Sequence, residues 1–165
     1  MMRAISRRVA LFAVVCAVVF PLQLRAGMAD TRTPCHFKVS ATPELAQMVA
    51  AAMDELTAVS GHTWSMEGRP NLTVRVGEIG REDVLGVTGV RHVFGLQYRA
   101  EVVISPEASD SQGVVTHELL HALGLSKHND DPHSIIHTFY EDGQALTLAD
   151  RARLDQSGRR CWRLP

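Results

Sequence analysis

The spacing of hydrophobic and polar residues changes several times along this chain, and each change predicts an element. Between Thr42 and His62 the apolar residues Leu45, Met48, Val49, Ala52, Leu56 and Val59 recur at the three-and-four spacing of a helix with one apolar face. Thr42 is the expected N-cap, Pro43 suits the first turn because its missing N–H has no partner there anyway, and Gly61 is the expected stop. Ahead of that helix "CHFKVS" reads as a short strand. After it "NLTVRVGEI" alternates Leu72, Val74 and Val76 with polar residues, the period of a strand with one buried face. "GVTGVRHVFG" is broken by glycines, whereas "LQYRAEVVIS" is strand-like until Pro106 ends it. "VVTHELLHALG" then supplies Val114, Val115, Leu119, Leu120 and Leu123 for a largely buried helix, opened by Ser109, Asp110 or Ser111 and closed at Gly124. A last short helix covers "TLADRARLDQS", capped by Thr147. Strand, helix, several strands, helix, irregular loop, helix is an α+β order: a small mixed sheet with a long helix and a second helix, followed by a short C-terminal part.

The beginning of the chain has a different bias. Arg3, Arg7 and Arg8 precede an apolar run from Val9 to Leu24, and small residues follow at Ala26 and Ala29. That is the form of a secretory signal peptide, and the run is shorter than the roughly 20 residues a spanning helix needs. Residues 1–26 are therefore expected to leave as a signal, with cleavage as late as 29, and residues 27–165 to form one exported domain, periplasmic or extracellular, without stable membrane insertion. Cleavage takes away four arginines and no acids, which leaves 13 basic against 18 acidic residues, a formal charge of −5. Such a surface argues against nucleic acid as a partner. Cys16 goes with the signal. Cys35 and Cys161, near the two ends of what remains, are expected to pair as a disulfide in an oxidising compartment.

The chemistry concentrates in "THELLHALGLSKHNDDPHSIIHTFY", which holds five of the eight histidines. His117 and His121 are four apart on the predicted helix, so their imidazoles lie one turn apart on nearly the same face and can reach one metal ion. Glu118 follows the first of them and points to one side, within reach of a water on the metal but not a ligand. HExxH is the arrangement of zinc peptidases, in which the metal activates water and the glutamate takes its proton. A third ligand must come from beyond Gly124: His128 is the first choice, and His133, His137 or a carboxylate from Asp130 or Asp131 are the others.

Here the chain resembles the metzincin clan of zinc endopeptidases, whose signature is HExxHxxGxxH followed by a methionine turn. "HELLHALGL" matches it through Gly124. The third histidine of the signature would fall on Lys127, and His128 comes one residue later. From His128 on, "HNDDPHSIIHTFY" is similar to the matrixin stretch, with "SIIH" like the astacin turn and Ile136 where the methionine stands. The resemblance implies a zincin-like fold and a secreted or periplasmic endopeptidase acting on peptide or protein substrates. It implies zinc on His117, His121 and His128, with Glu118 as general base. It also implies that the strand before the active helix, "RAEVVIS", forms the edge of the cleft, and that Tyr140 stands near the metal, where a structural role is the first expectation. The alternative function is a non-catalytic exported module that keeps the zincin scaffold for binding.

Overall fold

Period-two burial is clearest along β1 (His36–Ala41), where Phe37 and Val39 are buried while His36, Lys38 and Ser40 face outward. The computed structural model describes residues 35–81, 83–93 and 96–157, and at 92, 93 and 96–98 the backbone alone. All of these belong to one compact unit that begins at Pro34. The alternation continues in β3 (Leu72–Val76), which buries Leu72 and Val74, and in β5 (Leu96–Ile104), which buries Ala100, Val102 and Ile104. These three strands are parallel neighbours, with Val39 beside Leu72 and Val74 beside Val102, so their apolar side chains line up on one face. β2 (Thr63–Ser65) lies parallel to β1 at one edge, and β4 (Gly86–Val93) lies antiparallel to β5 at the other, giving the order β2-β1-β3-β5-β4.

Two helices supply much of the remaining apolar core. α1 (Ala46–Ser60) contributes Val49, Ala52, Met53 and Leu56, and α2 (Gln112–Ala122) contributes Val115, Leu119 and Leu120. Each such aliphatic side chain, taken fully out of water, is worth about 1.5–3 kcal/mol. α3 (Leu148–Ser157) packs on α1 and adds Leu154. On the opposite sheet face the Arg75–Glu101 pair at 2.9 Å is about half exposed on both sides, so it contributes little.

The caps follow from local chemistry in most places. Ser111 opens α2 by accepting the Val114 N–H at 3.3 Å, and Gly61 ends α1 with a left-handed φ of 70°. Thr147 and Asp150 form a reciprocal capping box at α3: the Asp150 N–H meets Thr147 Oγ1 at 3.2 Å and the Thr147 N–H meets Asp150 Oδ2 at 3.1 Å. At α1 the expectation fails. Thr42 follows β1 and is still bonded to the sheet, its N–H donating to the Val74 carbonyl at 3.1 Å, and the helix begins only at Ala46 after a turn.

Two strand assignments also need correction. "GVTGVRHVFG" contains a full eight-residue strand, because Gly86 and Gly89 sit in an edge strand where the neighbouring β5 fixes the backbone. "RAEVVIS" cannot be a cleft edge, since β5 is paired on both sides, to β3 and β4. The proposed cleavage site and Cys161 lie outside the described residues, while Cys35 is buried. No described helix is long and apolar enough to cross a membrane.

Candidate metal centre

α2 is buried almost all round, and its turn-to-turn spacing sets His117 and His121 side by side. Past the helix, Gly124 takes φ 112°, a left-handed conformation that costs other residues a steric penalty, and the chain reverses there. The Leu125 N–H returns to the Leu120 carbonyl at 3.0 Å, and the Leu125 carbonyl comes to face Nδ1 of His121. Three residues further on, His128 has swung back over the helix. The three Nε2 atoms of His117, His121 and His128 form a triangle with every side 3.2 Å.

That triangle has a chemical consequence. Nδ1 of His117 faces the Ile135 carbonyl at 2.7 Å and Nδ1 of His121 faces that of Leu125. A carbonyl only accepts, so both Nδ1 atoms carry the hydrogen, and in a neutral ring Nε2 is left as a lone pair. The rings favour neutrality: burial pulls all three below the ordinary histidine range, His117 to about 4, with the neighbouring histidines adding to the effect. Lone pairs therefore converge, and one N–H on His128 could serve at most one of them well. A cation at the centre serves all three. In tetrahedral coordination with metal–nitrogen bonds of about 2.0–2.1 Å, ligand nitrogens stand roughly 3.3 Å apart, which this triangle fits. These three side chains could hold a metal ion.

Glu118 is 6 % exposed, and that burial raises its carboxyl to about 6 although a hydrogen bond from Thr88 acts in the opposite direction. Thr88, on β4, reaches Glu118 Oε2 at 2.6 Å and the Glu118 carbonyl at 2.9 Å. Gly86, two residues away on the same strand, leaves room for the carboxylate: a Cβ there would come within 2.6 Å of Glu118 Cγ. The edge strand thus fits around the glutamate. A cleft of about 1220 Å³ runs between β4 and α2, and Leu85, Val87 and Phe139, three of the exposed large apolar residues, line it with the histidines and Glu118.

The other candidates of the sequence lie elsewhere. His133 is exposed and its N–H caps onto Asp131 at 3.0 Å, Asp130 is exposed, and Asp131 shapes the local turn; His137 bonds to Phe139. Ile136 is fully buried in the turn. Tyr140 lines the cleft but is seated on the first turn of α2, where Gly113 has no side chain: a Cβ there would overlap its ring. Its hydroxyl donates to Asp142 at 3.3 Å. Thr88, Gly86 and Gly113 escaped the sequence reading because their partners are distant in the chain and nothing local marks them. No protein-family model matches the chain, and no curated protein matches it in sequence.

Proposed function

We propose that the protein is an exported zinc-dependent endopeptidase of zincin-like fold, the reading that the resemblance to metzincins also favours. The observation that carries it is the triangle of three imidazole Nε2 atoms, those of His117 and His121 bearing lone pairs, opening into a cleft beside a buried carboxylate. His117, His121 and His128 would hold the metal. When bound, zinc supplies Lewis acidity, polarising a carbonyl and acidifying water. Glu118 would accept a proton from the attacking water and deliver it to the departing amine. Thr88 engages Oε2, which leaves Oε1 to carry the proton. Carbonyls of Ile135 and Leu125 keep the two helix imidazoles in the tautomer that presents Nε2. Among the described residues β4 is the edge strand beside the site, so an extended peptide would add to it as a further strand, its apolar side chains meeting Leu85 and Phe139.

The direct test uses protein stripped of metal. One equivalent of zinc should bind per chain and restore cleavage of an unfolded protein substrate, read as new fragments by mass spectrometry, and a chelator should abolish it. Zinc binding without cleavage of any peptide would favour the non-catalytic module instead.

Gly86→Ala probes the glutamate without touching a ligand. The added methyl has to displace Glu118, and a misplacement on the order of 1 Å costs about 10²-fold in rate. Zinc stoichiometry should stay unchanged while kcat/KM falls by that order; unaltered kinetics would show that the carboxylate's position is not critical.

A further inference from the structure

The chain around His128 is held from both sides by one helix. On its C-terminal side, Asn129 donates from Nδ2 to Asp150 Oδ1 at 2.7 Å and to Ser134 Oγ at 2.9 Å, and Ser134 donates to Asp150 Oδ2 at 2.6 Å. On its N-terminal side, Arg153 donates from Nη2 to the carbonyl of Lys127. Asp150 and Arg153 are three residues apart on α3, with Nη1 and Oδ1 3.9 Å from each other. Asp150 has no exposed surface, and a carboxylate is buried at that cost only where its oxygens are met; Oδ2 also accepts from Thr147 Oγ1 at 2.7 Å. The network extends to a second imidazole. Ser134 Oγ accepts the Ile136 N–H at 3.1 Å, and Ile135 between them supplies the carbonyl that orients His117.

We propose that α3 is a clamp that sets the third metal ligand, with Asp150 and Arg153 as positioning residues that hold the two flanks of His128. The proposal rests on the metal-site reading above. Lys127 is the residue in excess of the HExxHxxGxxH spacing, and its carbonyl is the one Arg153 takes. A longer loop has more conformations in which His128 points away. Fixing residues 127 and 129 to a rigid helix removes them before the metal arrives, so binding does not have to bear their ordering entropy.

The two roles open to Arg153 predict opposite signs. Its charge acts on His121 and His128, and as a bare cation it opposes a second positive charge there. As a clamp it favours metal binding. Metal-stripped full-length protein would be titrated with Zn²⁺ in competition with a chelating dye, and with Co²⁺ followed by its visible spectrum. Arg153→Met should weaken zinc binding about 10–100-fold, the range for loss of an outer-shell partner, and weaken the tetrahedral Co²⁺ bands. Arg153→Lys should recover part of the affinity, since an ammonium can still donate one bond to the Lys127 carbonyl. Phe37→Ala weakens the core toward the other end of the sheet, away from α3 and β4; it should lower the unfolding temperature and keep wild-type affinity. Should Arg153→Met not fold, Asn129→Ala tests the other flank, with the same expected loss. Affinity equal to or tighter than wild type in the flank variants overturns the clamp and leaves the metal site standing. An equal loss in Phe37→Ala overturns it too, as a purely structural effect. A wild-type protein that binds neither ion overturns both readings.

Discussion

Glu118→Gln is expected to keep about one zinc per chain and to lose peptide hydrolysis by roughly 10²–10⁴-fold, the range a positioned acid–base group contributes. The substitution preserves volume, so the fit against Gly86 survives, and the amide can still hydrogen-bond Thr88. What it removes is the ability to take up and release a proton. Stability should not fall, because an amide costs less to bury than a carboxylate. Metal analysis, thermal unfolding and a cleavage assay on the same preparation separate the three effects. Full hydrolysis by the amide variant would sink the assignment of Glu118 as base, whereas joint loss of zinc would make the residue a structural support of the histidines.

His128→Ala should weaken zinc binding by more than the 10–100-fold that an outer-shell loss costs, because two imidazoles alone cannot make a three-ligand site. His133→Ala and His137→Ala should change it little. His133 is exposed in the loop, and His137 hydrogen-bonds to Phe139, whereas His128 Nε2 stands 3.2 Å from both helix imidazoles. The alanine variant leaves the Nδ1–carbonyl bonds of His117 and His121 in place, so the fold should persist and circular dichroism should not change. Competition titration of all three variants decides the question. Wild-type affinity in His128→Ala, with loss in one of the other two, would reassign the third ligand and remove the basis for the clamp on α3.

By itself, the sequence determined whatever depends on neighbours a few residues away. The apolar spacing of α1 and α2, a cap for α2 among Ser109, Asp110 and Ser111, the Thr147 cap, the stops at Gly61 and Gly124 and the pairing of His117 with His121 all follow from helix geometry and side-chain chemistry over one or two turns. Thr147 and Asp150 even show the capping-box spacing, although nothing local reveals that the same aspartate reaches Asn129 and Ser134. Tertiary structure decided the rest. Whether "GVTGVRHVFG" is a strand depended on β5 lying beside it, and which strand borders the cleft depended on sheet order, so the edge fell to β4 and not to β5. His128 comes back to the helix pair after the turn at Gly124, and α3, some 20 residues on, takes the carbonyl of Lys127 beside it. Thr88 and Gly86 met Glu118 only when a distant strand was folded against α2. Non-local pairing is set by the burial of whole faces, and no window of sequence shorter than the domain contains that information.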